Sequence, residues 1–592
     1  MRWPYHFIDL TDEQKLLRRE SLDTFANVAQ LSAVVPLLVV QLAFGFSRLS
    51  RRWQSQKDFD PPSSPYLKNG SLRPWNGFRI GSVFYRKVQW WMGEEQRLGD
   101  VEGTRGRVLF ALTWLVWLFW LCFVQTGDDY LHLTKRFGII AASQLPCHYL
   151  LAIKSPYSPF QYLTGKSHET LNVYHRLLGK AITFLLYLHA IFYVNFYVQK
   201  SLLISKLQEL YVLCGIFALV AFKVISIPPH KYKSYRIFYT IHITLASLLL
   251  PFLFFHVSHL RIYLYESGAI YLCHTLLRSY ATTTISGTIK TIPTGTGHDD
   301  LIEITIPTSQ HTTTAFQPIL TYRTAQHTYL SLSRSPLARS INSNPFTLAS
   351  LPSIDNELRF YARVHAGNTA ALAKAAAAAT HSPTNDLTLT LEGPYGVQTH
   401  PDRLLTYDRI LLVAGGIGAT FVVPLYRQLL TDLSPSPGSY RREKVRFIWA
   451  VRSAEEKAWA LPEEGKDGEG LGERAEVFVT GSTGASEREG GGGAGAEEGE
   501  EAIELQERTG LLADGSRSQE IHDGSESNGR LHTGRPDLHA VVGETFSHGA
   551  SERVAVVVCG PKSLSRDLRR EVGRWVVGQG REVWFWEESF GT

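Results

Sequence analysis

Four histidines in two apolar segments are the side chains whose spacing most strongly suggests chemistry. They form two pairs, His175 with His189 and His242 with His256, and the members of each pair are fourteen residues apart. At about 100° per residue, this separation falls about 40° short of four full turns, so both histidines of a pair share one helix face, about 21 Å apart. Haem iron accepts axial histidine, and two such helices side by side could hold two stacked b-type haems that carry single electrons across a bilayer.

The alternative for these histidines is polar packing or a proton relay within the helices. Ionisable side chains inside a membrane span are costly and are usually functional, which favours haem ligation. Two further histidines, His148 and His259, lack the matching spacing. We expect both of them to be interfacial or packing residues.

The composition divides the chain of 592 residues into two unlike halves. The first half is apolar and aromatic, whereas the second has the mixed pattern of a soluble protein and a charged, glycine-rich interruption. The net charge of +5 is too small to suggest nucleic acid as a partner. The five cysteines are scattered without a CxxC pair, which disfavours a disulfide framework or a zinc site.

The first half predicts an integral, multi-pass membrane domain in a lipid bilayer. The first apolar run begins near Asn27, so we interpret it as a membrane anchor rather than a cleaved signal. A span needs roughly 20 predominantly apolar residues. Seven spans are predicted on this basis, at about 27–47, 108–126, 137–153, 171–197, 207–227, 237–258 and 260–278.

Positive charge sets the predicted orientation of these spans. Lysine and arginine follow spans one, three, five and seven, and cationic loops stay on the cytoplasmic side. The N-terminus is therefore expected outside and the C-terminal half in the cytosol. One span separates the two helices that carry the histidine pairs, so these helices should run parallel. That places His175 and His242 at the inner level and His189 and His256 at the outer level.

The second half begins near Ala281 with short alternating runs that predict an antiparallel β-barrel. Two later segments, NPFTLAS from Asn344 and LEGPYG from Leu391, are by composition turn-rich loops at strand ends. An apolar strand then ends in Gly415-Gly416-Ile417-Gly418 before an apolar helix. Such a turn lets the backbone and a helix N-terminus approach a pyrophosphate, although a lone glycine-rich turn is weak evidence.

Strands and helices alternate after this turn, which predicts an α/β doubly wound nucleotide domain with its site at the C-terminal ends of the strands. One strand ends at Arg452, which is a candidate partner for the 2′-phosphate of NADPH, the alternative being a solvated surface arginine. Another strand ends at Cys559-Gly560-Pro561. The glycine-, glutamate- and serine-rich residues at about 482–530 are expected to be a disordered insertion within this domain.

Taken in order, these motifs resemble those of the fungal ferric-chelate reductases, part of the ferric reductase and NADPH oxidase family of flavocytochromes b. The resemblance extends from about Arg136 to the C-terminus, except for the insertion. It depends on YHRLLG with the two histidine pairs, NPFT, GGIG, CGP, GRPDL from Gly534 to Leu538, and the ending VWFWEESFGT. The equal spacing of the two pairs is similar to that of the metalloreductases rather than the superoxide-producing oxidases.

The resemblance implies that FAD binds on the barrel of a ferredoxin-reductase-like module. Asn344 stands where the family usually has histidine, so either the loop backbone carries flavin binding or the affinity is reduced. Phe590 would cover the flavin ring where nicotinamide must stack. The other implied flavin contacts are Pro345, Phe346 and Thr347 along the isoalloxazine, and Gly393, Pro394, Tyr395 and Gly396 near the flavin or its phosphates.

The resemblance also implies a multi-domain organisation and a function. The expected parts are an N-terminal segment (1–106), an α-helical transmembrane di-haem domain (107–280), an FAD-binding barrel (281–402) and an NADP-binding domain (403–592). Electrons would pass from NADPH through FAD and two haems to ferric or cupric chelates outside, without a general base or nucleophile. The plasma membrane and an iron permease or oxidase pathway are the implied setting. The rival functions are superoxide production and a non-catalytic membrane scaffold.

Overall fold

The computed structural model describes most of the chain, with gaps. The described residues are 4–57, 76–98, 101–155, 157–292, 301–308, 322–333, 335, 338–339, 342–365, 367–379, 386–396, 400–433, 445–461, 475–481, 531–549 and 552–588. They form two compact units. The first comprises Met1–Thr284, Thr328–Asn344 and Leu389–Val397, and the second comprises Ile285–His327, Pro345–Thr388 and Gln398–Thr592.

Helices dominate the first unit. The N-terminal ends of the two longest histidine-bearing helices are capped by serine, because Ser167 and Ser234 accept hydrogen bonds from backbone amides in the first turn. The helices are α1 (Asp12–Ser32), α2 (Val34–Lys57), α3 (Asn76–Met92), α4 (Arg105–Phe123), α5 (Tyr130–Ser143), α6 (Leu145–Leu151), α7 (Pro159–Thr164), α8 (His168–Gln199), α9 (Leu203–Leu207), α10 (Leu210–Ile225), α11 (Tyr235–His256) and α12 (Arg261–Tyr280). A short antiparallel hairpin joins α3 to α4, with strands β1 (Glu95–Leu98) and β2 (Val101–Thr104).

Helices coincide with all seven predicted spans, but not all of them have the expected length and apolarity. Within the described residues, four segments are long and apolar enough to cross a membrane, and these are Asp12–Ala43, Arg105–Phe123, His168–Gln199 and Tyr235–His256. The helix α10 is apolar but has only 16 residues. The predicted span 137–153 is divided into α5 and α6, because Pro146 has no amide hydrogen and occupies the first turn of a new helix.

Six strands form the sheet of the predicted FAD-binding barrel. Its strand order is β6-β5-β8-β3-β4-β7, and β4 pairs antiparallel with both β3 and β7. The antiparallel, barrel-like fold predicted for this region is therefore confirmed. The strands are β3 (Thr282–Ile292), β4 (Leu301–Pro307), β5 (His327–Ser331), β6 (Asn344–Thr347), β7 (Glu357–Arg363) and β8 (Asp386–Tyr395), with helices α13 (Pro352–Asp355) and α14 (Asn368–Ala379).

A second six-stranded sheet is parallel wherever its pairings are described, with the order β12-β11-β10-β9-β13-β14. The chain starts at β9 and proceeds in opposite directions from it, so the order reverses between β9 and β13, as in doubly wound folds. The strands are β9 (Arg409–Gly415), β10 (Val445–Val451), β11 (Ala475–Val479), β12 (Leu531–Thr533), β13 (Val554–Cys559) and β14 (Val583–Glu588). The helices are α15 (His400–Leu404), α16 (Ala419–Asp432), α17 (Lys457–Ala460), α18 (Leu538–Ser547) and α19 (Lys562–Gln579).

The core of this α/β region lies between the sheet and its helices. Strands β9 and β13 are almost entirely buried, as expected for the central strands of a covered parallel sheet. The predicted insertion at 482–530 falls between β11 and β12, outside the described residues.

Candidate functional site

The two histidine pairs face each other between α8 and α11. The ring centroids of His175 and His242 are 6.3 Å apart, and those of His189 and His256 are 6.5 Å apart. Two matched contacts, fourteen residues apart on both helices, require the helices to run in the same direction and in register. The structure thus brings together the residues that the spacing predicted to meet, at two levels about 21 Å apart along the helix axis.

These distances fit a haem held between two axial imidazoles. A ligating imidazole nitrogen lies about 2 Å from a metal and about 1.1 Å from its own ring centroid, so two rings on opposite sides of one iron have centroids about 6 Å apart. Both observed separations match this value. Among the described residues, no group of three or more His, Cys, Asp or Glu could hold a bare metal ion. Two facing imidazoles suit a macrocycle that already supplies four of the iron's ligands.

Backbone carbonyls orient three of the four rings. Nδ1 of His175 lies 3.0 Å from the carbonyl oxygen of His148, and Nδ1 of His189 lies 2.8 Å from that of Thr134. Nδ1 of His256 lies 2.7 Å from the carbonyl oxygen of Tyr211. Because a carbonyl can only accept, Nδ1 donates its hydrogen in each case, and the lone pair of Nε2 is left for a metal.

The other two histidines make packing contacts, as expected. The ring of His148 stacks on that of His175, with centroids 3.9 Å apart and planes 10° apart. Nδ1 of His259 lies 3.3 Å from Nε of Arg19 and 3.6 Å from a carboxylate oxygen of Asp23. His148 thus supports a ligand candidate, whereas His259 belongs to a polar cluster elsewhere in the first unit.

The GPYG segment contains a buried ion pair that was not predicted from the sequence. Glu392, which directly precedes Gly393, is fully buried and accepts two hydrogen bonds from Arg278 near the end of α12, both of 2.9 Å. The hydroxyl of Tyr395 donates to the same carboxylate over 2.6 Å, and Nε of Arg339 lies 3.9 Å away. Nothing local in the sequence indicates that the partner of Arg278 lies 114 residues away.

The protonation state of Glu392 follows from these contacts. Burial by itself would raise the pKa of the carboxyl group, but the hydrogen bonds and charge of Arg278 outweigh it and hold the pKa below its usual value. Burial and the neighbouring Glu392 charge raise the pKa of Tyr395 well above its usual value, so its hydroxyl remains a donor. Nearby, Nζ of Lys154 lies 3.1 Å from the ring centroid of Tyr329.

The backbone of the GPYG segment is held in the same unit. The amide of Gly393 donates to the carbonyl of Ala281 over 3.1 Å, and Thr328 Oγ1 donates to the carbonyl of Glu392 over 2.9 Å. The side chain of Tyr395 is only 2% exposed. Gly396 adopts a φ of 114°, which only glycine tolerates without strain. The segment is thus anchored at the end of α12, to the side chain of Arg278 and to the backbone of Ala281.

The two glycine-rich turns of the α/β region meet at the point where the strand order reverses. Gly415 ends β9 and is followed by Gly416, Ile417 and Gly418, while Cys559 ends the neighbouring β13 and is followed by Gly560 and Pro561. A Cβ on Gly415 would lie 2.8 Å from Cδ of Pro561, and one on Gly418 would overlap the carbonyl of Cys559. The glycines therefore allow two backbones to come together at the edge where doubly wound folds bind dinucleotides.

The remaining predicted residues occupy varied positions. In β6, Asn344 and Pro345 are exposed, whereas Phe346 and Thr347 are buried. Arg452 is exposed and directly follows β10, at the same edge of the sheet as the two glycine turns. Phe590 lies outside the described residues. In GRPDL, Gly534 has a φ of 95°, and Asp537 caps α18 by accepting hydrogen bonds from its first amides.

Three family models match the chain in the order that the fold suggests. They are described as "Ferric reductase like transmembrane component" (residues 137–253), "FAD-binding domain" (287–399) and "Ferric reductase NAD binding domain" (407–573). Together with the apolar helices, they define a membrane oxidoreductase with a flavin domain and a nicotinamide nucleotide domain. These matches, together with fungal metalloreductases and ferric reductases among its relatives, support a fungal ferric reductase.

Curated relatives agree with this assignment. A probable metalloreductase of Meyerozyma guilliermondii is 26% identical over 74% of this chain and 80% of its own length. Ferric reductase transmembrane component 1 of Schizosaccharomyces pombe is 23% identical over 54% of this chain, and ferric/cupric reductase transmembrane component 2 of that yeast is 22% identical over the same share. The chain spans about 60% of the length of these two relatives.

Among solved structures, a flavohemoglobin from Malassezia yamatoensis is 14% identical over 77% of this chain and 96% of its own. Its TM-score of 0.32 is too low to argue a common fold.

Proposed function

We propose that the protein transfers electrons from cytosolic NADPH through FAD and two b-type haems to ferric or cupric chelates on the opposite side of the membrane. The observation that carries this proposal is the pair of matched histidine contacts between two parallel, membrane-length helices. The names of the relatives, a probable metalloreductase and a ferric/cupric reductase, support the choice of acceptor. The plasma membrane and a cytosolic C-terminal half are part of the proposal.

The protein's own residues supply position rather than acid–base chemistry. Flavin, when bound, exchanges a hydride for single electrons, and haem carries single electrons. His175 with His242 would hold the inner haem, and His189 with His256 the outer one. The carbonyl contacts at Nδ1 fix the direction in which three of these rings present Nε2.

The glycine turns after β9 and β13 would bind the NADPH pyrophosphate. The helix α16 begins there, and its dipole favours negative charge at its N-terminus. Exposed Arg452, at the end of the adjacent strand, would pair with the 2′-phosphate and so select NADPH over NADH.

Arg452→Ala is expected to raise the KM for NADPH about tenfold while leaving that for NADH unchanged, since a charge-assisted hydrogen bond to phosphate contributes about 1.5 kcal/mol. Steady-state chelate reduction with each nucleotide measures this. Arg570→Ala, which removes an exposed arginine from α19, is the matched control and should change neither KM. An equal rise in KM for both nucleotides would show that Arg452 does not discriminate between them.

The rival acceptor is oxygen. Purified membranes given NADPH and a ferric chelate should form ferrous product at a rate that superoxide dismutase leaves unchanged, and the rate should persist without oxygen. Because superoxide reduces ferric chelates itself, a rate that dismutase suppresses would assign the protein to superoxide production instead.

A further inference from the structure

Two glycines pack directly against His189 and His256, which face each other between α8 and α11. Gly138 lies on α5, and a Cβ placed there would be 2.6 Å from Nδ1 of His189. Gly215 lies on α10, and a Cβ placed there would be 2.5 Å from Cε1 of His256. Neither contact is possible for a real side chain, so any substitution must move the ring.

The two glycines share one geometric relation to their histidines. The carbonyl that accepts from Nδ1 of His189 belongs to Thr134, and the one that accepts from Nδ1 of His256 belongs to Tyr211. Each carbonyl is four residues before its glycine, so its normal helical donor is the amide of that same glycine. The imidazole reaches a carbonyl inside a helix only because no Cβ covers it.

His175, which faces His242, does not use this arrangement. Nδ1 of His175 reaches the carbonyl of His148, in the last turn of α6, where carbonyls have no intrahelical donor and remain accessible. The residue four positions later is Ala152 rather than glycine. Elsewhere in the first unit, a Cβ on Gly268 of α12 would meet nothing within 4 Å. Close approach to a ligand histidine is therefore not a general property of the helical glycines.

We propose that Gly138 and Gly215 are positioning residues that seat His189 and His256, and so fix the orientation and basicity of both axial ligands of one haem. The proposal rests on the proposed function, because it assumes that His189 and His256 ligate haem. Donation from Nδ1 to a carbonyl raises the basicity of the imidazole, which stabilises ferric over ferrous iron. An added methyl group would push the ring away and weaken that donation.

The test is a redox titration of the two haems in the purified full-length protein, followed by absorbance, with low-spin electron paramagnetic resonance of the oxidised form. In Gly138→Ala and in Gly215→Ala, one of the two reduction steps should shift to a more positive potential or disappear, and its resonance signal should change. The other step should stay where it is in the unaltered protein. Gly268→Ala should match the unaltered protein in both steps.

The outcomes separate this inference from the proposed function. Absence of haem from the unaltered protein would refute haem ligation itself. Two haems in the unaltered protein, with both steps and signals unchanged in the two alanine variants, would overturn the positioning role alone. Equal shifts in the reduction potentials of both haems would assign the glycines to general helix packing and would also overturn the positioning role. The same conclusion would follow if both alanine variants failed to accumulate while Gly268→Ala accumulated.

Discussion

His189→Ala should leave the protein with about half its haem and slow NADPH-driven ferric chelate reduction by at least about 100-fold, because loss of a direct ligand exceeds the 10- to 100-fold effects of outer contacts. His189 and His256 face each other at 6.5 Å, so removal of one ring leaves one haem with a single axial ligand. His175 and His242, about 21 Å away along the helices, remain in place to hold the other haem. Pyridine haemochrome content per bound flavin measures the loss.

His259→Gln is the control for His189→Ala. His259 contacts Arg19 and Asp23 rather than another histidine of α8 or α11, so its variant should keep both haems and full activity. Retention of two haems per flavin in His189→Ala would contradict the assignment of His189 as a ligand, whatever its activity.

Glu392→Gln should lower the free energy of unfolding of the purified protein by about 3 kcal/mol, because breaking a buried ion pair leaves an uncompensated charge. Glu392 is fully buried and accepts two hydrogen bonds of 2.9 Å from Arg278. A shift of this size lowers the thermal midpoint by about 5 °C in a domain of a few hundred residues. Thermal unfolding of the detergent-solubilised protein measures it.

Glu209→Gln is the matched control, since Glu209 forms an exposed ion pair with Lys206 in the same unit. Exposed pairs contribute about 0.5 kcal/mol, so its midpoint should barely change. Equal midpoints for Glu392→Gln and Glu209→Gln would show that the buried pair does not stabilise the protein.

The same pair also predicts a pH dependence. Since its contacts hold the pKa of Glu392 below the usual carboxyl value, its stabilising contribution is complete above about pH 5 and is lost as the pH falls through the depressed pKa. The thermal midpoints of the unaltered protein and Glu392→Gln should therefore converge in acid.

Regular spacing explains what the sequence could predict. The fourteen-residue separation within each histidine pair defines a helix face independently of tertiary structure, and its recurrence in both helices predicted that the two faces could meet in register. The glycine turns after β9 and β13 were similarly recognisable because they join an apolar strand to a helix. Their apposition at the reversal of strand order followed from the doubly wound fold.

Contacts between distant segments explain what the sequence could not predict. Glu392 is separated from Arg278 by 114 residues, and no periodic pattern links the end of a strand to the end of α12. The roles of Gly138 and Gly215 depend on which helices lie behind the histidines, which helix periodicity does not specify. The break between α5 and α6 was missed because the apolar run continues across Gln144 and Pro146.

The central claim is that one chain connects NADPH to an external metal through its histidine-bound haems. The most direct test is the absorbance spectrum of purified membranes given NADPH without oxygen, followed by addition of a ferric chelate. The account predicts that the haem is reduced by NADPH and then rapidly reoxidised by the chelate. Haem that is present but is never reduced by NADPH would contradict the account and favour a membrane scaffold of the same fold.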